Sequence, residues 1–115
     1  LVRMLKKKGN SMAYVRINMV EFKSKEDMKK DMDELQKGMK SMFPEMRLFI
    51  GMEASETTNV GIAVYDNKEA ADRAVEKRNK HMAGEGFSDN FSHEGQVIAF
   101  YADNEQIDNL VKSVS

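Results

Sequence analysis

The chain has 115 residues, enough for one domain that buries a modest core without metal or disulfide staples. It contains no cysteine, which excludes a disulfide, a thiolate nucleophile and a zinc–thiolate site. Eighteen Lys and Arg against nineteen Asp and Glu give a net charge of -1, so no long-range field gathers nucleic-acid phosphates or anionic lipid, and neither partner is expected.

The start, "LVRMLKKKGNSM", carries a basic cluster but no apolar run of signal-peptide length, and no membrane-length apolar segment follows. These features read as a soluble cytoplasmic protein. Residues 1–11 are expected to form a flexible leader, broken from the first strand by Gly9, Asn10 and Ser11, with 12–115 as a single domain.

"AYVRINMVEFKS" alternates and is rich in β-branched and aromatic residues, which predicts a strand from Tyr14 to Phe22. Ser24 offers a helix N-cap, and Met28, Met32, Leu35, Met39 and Met42 recur at alternating spacings of four and three, giving one apolar stripe. Pro44 stops that helix, and alternation resumes in "RLFIGME", Arg47 to Glu53. After the polar turn "ASETT", "NVGIAVYD" makes a third strand hairpinned to the second. Asn67 caps a second helix, "KEAADRAVEKRNKHM", with a small-residue face of Ala70, Ala71, Ala74 and Val75. "HMAGEGFSDNFSHEG" reads as a connector long enough to act as a lid, anchored by Phe87 and Phe91. "QVIAFYA" is then the fourth strand and "NEQIDNLVKSV" a short terminal helix.

The order β-α-β-β-α-β predicts an α+β, ferredoxin-like fold: an antiparallel sheet with both helices on one face. Period-2 bookkeeping puts Val15, Ile17, Met19, Leu48, Ile50, Met52, Val60, Ile62 and Val64 on one side, assigned to the helices as core. The other side carries Tyr14, Arg16, Asn18, Val20 and Phe22, then Arg47, Phe49, Gly51 and Glu53, then Asn59, Gly61, Ala63 and Tyr65. This face is expected to meet a second copy of the same sheet. Phe22, Phe49, Gly51, Gly61 and Ala63 would line the interface or a pocket within it. Arg16, Asn18 and Arg47 would supply donors, and Tyr14 or Tyr65 would orient an aromatic ring. His81 and His93, imidazoles able to move a proton, complete the candidate set, although without a paired carboxylate they read first as solvated loop residues. Nothing matches a P-loop, a dinucleotide fingerprint, a serine elbow or a metal-binding helix motif, so no metal site is expected.

"RINMVEFKSKEDMKKDMDEL", "GIAVYDNKEAADRAV" and "EGQVIAFY", over Tyr14 to Tyr101, resemble the dimeric α+β barrel superfamily, in particular its antibiotic-biosynthesis-monooxygenase-like group. The resemblance implies a homodimer with one pocket per subunit, between helices and sheet or within the barrel. It also implies a small-molecule-binding protein, with a cofactor-independent monooxygenase acting on a phenolic or aromatic substrate as the enzyme reading. Asn18 and Arg16 would then bind a developing oxyanion. No cofactor is expected. A non-catalytic structural or regulatory dimer is the alternative. The superfamily's haem-degrading branch has an Asn where Asn18 stands, but it needs a Trp and a His in and after the second helix. This chain has Ala74 and Gly84 there, with His81 about one turn early. The RNA recognition motif shares the fold but needs stacking aromatics on the third strand, where this chain has Ile62 and Val64, or Asn59 and Gly61 in the shifted register.

Overall fold

The structure, a computed structural model, describes residues 2, 3, 12–82 and 87–114, with side chains at 12–80 and 92–114. Its elements are β1 (Val2–Arg3), β2 (Tyr14–Phe22), α1 (Lys25–Met42), β3 (Met46–Glu53), β4 (Thr58–Tyr65), α2 (Lys68–Met82), β5 (Phe87–Gln96), β6 (Phe100–Tyr101) and α3 (Ile107–Ser113). β2 to β5 form one antiparallel sheet in the order β3-β4-β2-β5, while β1 and β6 pair separately. With α1 and α2 as the two crossovers, this is the ferredoxin-like arrangement that the element order predicts.

Local chemistry sets the helix limits. The Ser24 side chain accepts the Asp27 N–H at 3.1 Å at the start of α1, and Asn67 Oδ1 accepts the Ala70 N–H at 2.8 Å at the start of α2. At the other end of α1 the Phe43 N–H closes on the Met39 carbonyl at 2.8 Å, and Pro44 follows immediately. Among the described residues no helix is long and apolar enough to cross a membrane.

The helices cover the face opposite to the one assigned from sequence. Tyr14, Arg16, Val20 and Phe22 are buried along β2, and Asn59, Ala63 and Tyr65 along β4. Ala70, Ala71 and Ala74 pack α2 onto this side. The aliphatic set expected in the core faces away from the helices, with Ile50 and Met52 each more than half exposed. Alternation reveals which residues share a face, not which face the helices choose. The choice follows from the aromatics and from Arg16. Phe22, Phe49 and Tyr65 fill the depth between sheet and helices, and the Arg16 charge is neutralised by Glu94. The methionine stripe of α1 does pack on the sheet, but over this aromatic and polar side: Met28 joins Val20 and Phe22, and Leu35, Met39 and Met42 pack against the cluster around Tyr65.

A second correction concerns the fourth core strand. It is Phe87–Gln96, the stretch read as a connector and lid, and "QVIAFYA" supplies only the two-residue β6, which pairs with Val2–Arg3. β5 runs along β2 from Phe87 opposite Phe22 to Gln96 opposite Tyr14, with a bulge where Met19 faces Phe91 and Val20 faces Asp89. A polar sheet edge interrupted by a bulge has neither the apolar content nor the strict period by which a strand is recognised. Leu1 and residues 4–11, the rest of the expected leader, lie outside the described residues. The terminal helix α3 forms as expected but buries none of its residues.

Candidate functional site

The core divides into two clusters. One is built on Tyr14, Phe43, Ala63, Tyr65, Ala70, Ala71 and Ala74, and the other on Val20, Phe22 and Met28. A cavity of about 80 Å3 lies between sheet and helices and is lined from both clusters. Its floor is β2 and β4, through Asn18, Val20, Phe22, Asn59, Gly61 and Tyr65, together with Phe49 of β3. Its roof is Met32, Leu35 and Met39 of α1 with Ala74, Val75 and Arg78 of α2.

Glycine makes the space. Gly51 and Gly61 are direct cross-strand partners, and the Phe49 ring lies over both. A Cβ at Gly61 would stand 3.1 Å from Phe49 Cε1, and one at Gly51 would stand 3.3 Å from Phe49 Cε2. The ring therefore occupies the volume that two side chains would otherwise fill. Thioethers and aromatic rings dominate the lining, a surface suited to a flat apolar molecule.

At the end of the sheet near Tyr14, polar groups lock the wall. Arg16, 6% exposed, donates from Nε and Nη2 to Glu94 Oε2 at 3.0 and 2.6 Å and from Nη1 to the Ala71 carbonyl at 3.0 Å. Tyr14 donates its hydroxyl to the other Glu94 oxygen at 2.7 Å. The Tyr14 hydroxyl and then Arg16 hold the Glu94 carboxyl below the usual carboxylate range. The same bond to Glu94 raises Tyr14. Burial raises the Tyr65 hydroxyl, against smaller opposing effects of Arg16 and Arg78.

Of the sequence candidates, Asn18, Arg16, Tyr65, Phe22, Phe49, Gly61 and Ala63 line the cavity. Most of Arg16's hydrogen-bonding capacity is committed to Glu94 and Ala71. Tyr14 stands outside the cavity lining, and Gly51 contributes by seating Phe49. Arg47 is the bulge residue between Met46 and Leu48 and is exposed, donating to both Asp66 oxygens at 3.1 and 2.7 Å. His93 pairs with Ile17 on the side away from the helices, and the His81 side chain lies outside the described residues.

Three polar lining residues escaped the sequence reading as site residues: Asp31, Asn59 and Arg78. Asn59 has the parity of Gly61 and Tyr65, which was the available signal. Asp31 and Arg78 follow only once the helices are placed over that face. Among the described residues no group of three or more His, Cys, Asp and Glu is arranged to hold a metal ion.

Comparison with known proteins gives no matching family model and no matching curated protein. Solved structures do match. A dimeric ferredoxin-like protein from an uncultured marine organism superposes with a TM-score of 0.62 at 13% identity, over 79% of this chain and 99% of that one. HapK from Hahella chejuensis gives 0.64 at 12% identity, over 78% and 98%. SnoaB, a cofactor-independent oxygenase from Streptomyces nogalater, gives 0.50 at 13% identity, over 78% and 92%. At such identities the likeness concerns the backbone alone: the chain has the ferredoxin-like fold.

Proposed function

We propose that this chain is a homodimeric small-molecule-binding protein that holds an aromatic ligand between its helices and its sheet. The observation that carries the reading is the cavity, with an apolar and aromatic lining interrupted by a few polar groups, the usual make-up of a ligand site. At about 80 Å3 the cavity is smaller than the roughly 150 Å3 apolar cavity that takes up benzene, so an aromatic ring is admitted as the flexible thioethers of Met32 and Met39 give way.

Self-association is supported by the sheet face opposite the helices, which nothing covers among the described residues. Ile17, Ile62 and Ile50 align across three adjacent strands, flanked by Val15, Met19, Leu48, Met52, Val60 and Val64. A contiguous aliphatic surface of this kind marks an interface. A second copy of the same sheet supplies a matching one, and similar folds are described as dimeric.

One neighbour of the fold is a cofactor-independent oxygenase, and the substrate such chemistry would take in an aromatic pocket of this kind is an electron-rich phenol or quinol. Asp31 would take up a ligand proton, Asn18 would donate to the developing oxyanion, and Tyr65 would stack on the ring. A naphthol panel tests binding and naphthohydroquinones test chemistry. Stabilisation of the fold by the former and oxygen uptake above the uncatalysed rate with the latter are the expected results. Stabilisation without oxygen uptake selects a non-catalytic binding module, and absence of stabilisation at saturating naphthol refutes the pocket.

A further inference from the structure

Asn59 is 6% exposed, lines the cavity, and its Oδ1 is buried with no hydrogen-bond partner. Its Nδ2 faces Met32 Sδ at 3.0 Å. Thioether sulfur accepts but does not donate, so this contact fixes the amide with nitrogen towards Met32 and leaves the oxygen unpaired. A buried acceptor without a donor is costly, and nearly all buried polar groups in native proteins have a partner. Neighbouring side chains do not supply one. Val20 and Glu53 are its cross-strand partners on the two sides, the former apolar and the latter an acceptor when ionised. Two positions along β4, Gly61 has no side chain to reach back.

We infer that Asn59 Oδ1 is the specificity-determining acceptor of the pocket, and that it selects ligands carrying an O–H or N–H donor on an aromatic ring, this donor keeping its proton while the oxygen that ionises is the second one, at Asn18. The inference rests on the pocket reading above and sharpens it. The pocket distinguishes a phenol from its methyl ether, because the ether brings an acceptor to an acceptor and adds a methyl group where the proton belongs. Asn18 lies opposite Gly61 on β2, diagonal to Asn59. Diagonal neighbours stand roughly 7–8 Å apart, so a ligand donating to Asn59 can present a second oxygen to the Asn18 amide across the same ring system. A ring carrying two oxygen substituents, one of them a hydroxyl, fits both groups.

The test compares 2-naphthol with 2-methoxynaphthalene by fluorescence titration against the wild type, Asn59→Leu and Asn59→Ser. The wild type is expected to bind the naphthol on the order of tenfold more tightly, since losing the bond also leaves a buried acceptor unpaired. Asn59→Leu removes the preference by weakening naphthol and not the ether. Asn59→Ser, smaller and still able to accept a hydrogen bond, retains part of it and keeps the comparison available if the leucine variant fails to fold. Equal wild-type affinity for both probes overturns the inference and leaves the pocket standing, as it would if a trapped water already satisfied Asn59. An unchanged preference in Asn59→Leu also overturns it. Binding of neither probe removes the pocket reading and this inference together.

Discussion

Glu94 receives Arg16 through one carboxylate oxygen and Tyr14 through the other, so three side chains on adjacent strands share one charge. Arg16 also reaches the Ala71 carbonyl, which ties the edge strand β5 and helix α2 to β2 through a single guanidinium. An arginine buried in this way would be costly alone. Paired, it fixes the wall of the cavity.

A pH dependence follows. Glu94 is held below the usual carboxylate range, by Tyr14 first and Arg16 second. A depressed carboxylate contributes stability above its unfolded value of about 4.3, and this is lost as pH falls through the lower folded value. Glu94→Gln should therefore lower stability at pH 7, by about 1 kcal/mol given the partial exposure of the carboxylate, and should flatten the decline in melting temperature below about pH 5. The decline will not vanish, because Glu21, Glu45, Asp66 and Asp72 are depressed as well. Chemical denaturation at pH 7 and thermal scans from pH 3 to 7 measure both effects. Parallel scans for the two proteins would show the pair to be energetically silent.

The glycine seat makes a second prediction. Gly61→Ala presses a methyl group against the Phe49 ring at 3.1 Å, so the ring must shift into the cavity. The stability cost should stay near about 1 kcal/mol, because Phe49 is only half-buried and can move. Affinity for 2-naphthol should fall by more than that cost suggests. Adding Phe49→Leu should relieve the contact, and a double-mutant cycle should give a coupling of roughly 0.5–1 kcal/mol. Additive stabilities would mean that ring and glycine do not share the space.

Much of this architecture is legible in the sequence, and the failures have physical causes. Ser24, Asn67 and Pro44 mark helix limits by chemistry local to the chain, so β2, α1, β3, β4 and α2 fall close to their expected places. β5 does not, because its content is set by its neighbours. Glu94 is needed beneath Arg16, and the bulge opposite Met19 and Val20 interrupts the alternation. The candidate site was legible in part for the same reason. Parity places Asn18, Phe49, Gly61 and Tyr65 on one face, but an alternating strand is symmetric under exchange of inside and outside. The aliphatic face looked like a core because Val15, Ile17, Leu48, Ile50, Val60, Ile62 and Val64 have the composition of one.

Asn18 supplies a third prediction. It is half-buried in the cavity lining, and its side chain has no hydrogen-bond partner among the described residues. Asn18→Leu should thus leave the melting temperature within a few degrees of the wild type, as expected for a change of about 0.5 kcal/mol. A naphthol bearing a second ring oxygen should lose its advantage over 2-naphthol in this variant. If the substitution instead unfolds the protein, the amide belongs to the scaffold and not to the ligand.

The last prediction separates the two faces of the sheet. Phe49 lies under the helices in the cavity lining, whereas Ile50, the next residue, is 51% exposed on the opposite side and aligned with Ile62 and Ile17. Placing a charge at Ile50 should cost an isolated subunit little, since the side chain already meets water there. It should be prohibitive where two aliphatic sheets meet, because an unpaired charge would be buried between them. The wild type is accordingly expected to show a dimer mass by light scattering at micromolar concentration. Ile50→Lys should show a monomer mass with unchanged secondary structure by circular dichroism, and Ile62→Asp, at the centre of the row, should act at least as strongly. Phe49→Leu should alter naphthol affinity and leave the mass at that of a dimer. The reverse pattern, dimers surviving Ile50→Lys but lost in Phe49→Leu, would return the interface to the face first expected from the sequence. A wild-type monomer would remove the dimer altogether, while the cavity, formed within one chain, would keep its ligand tests.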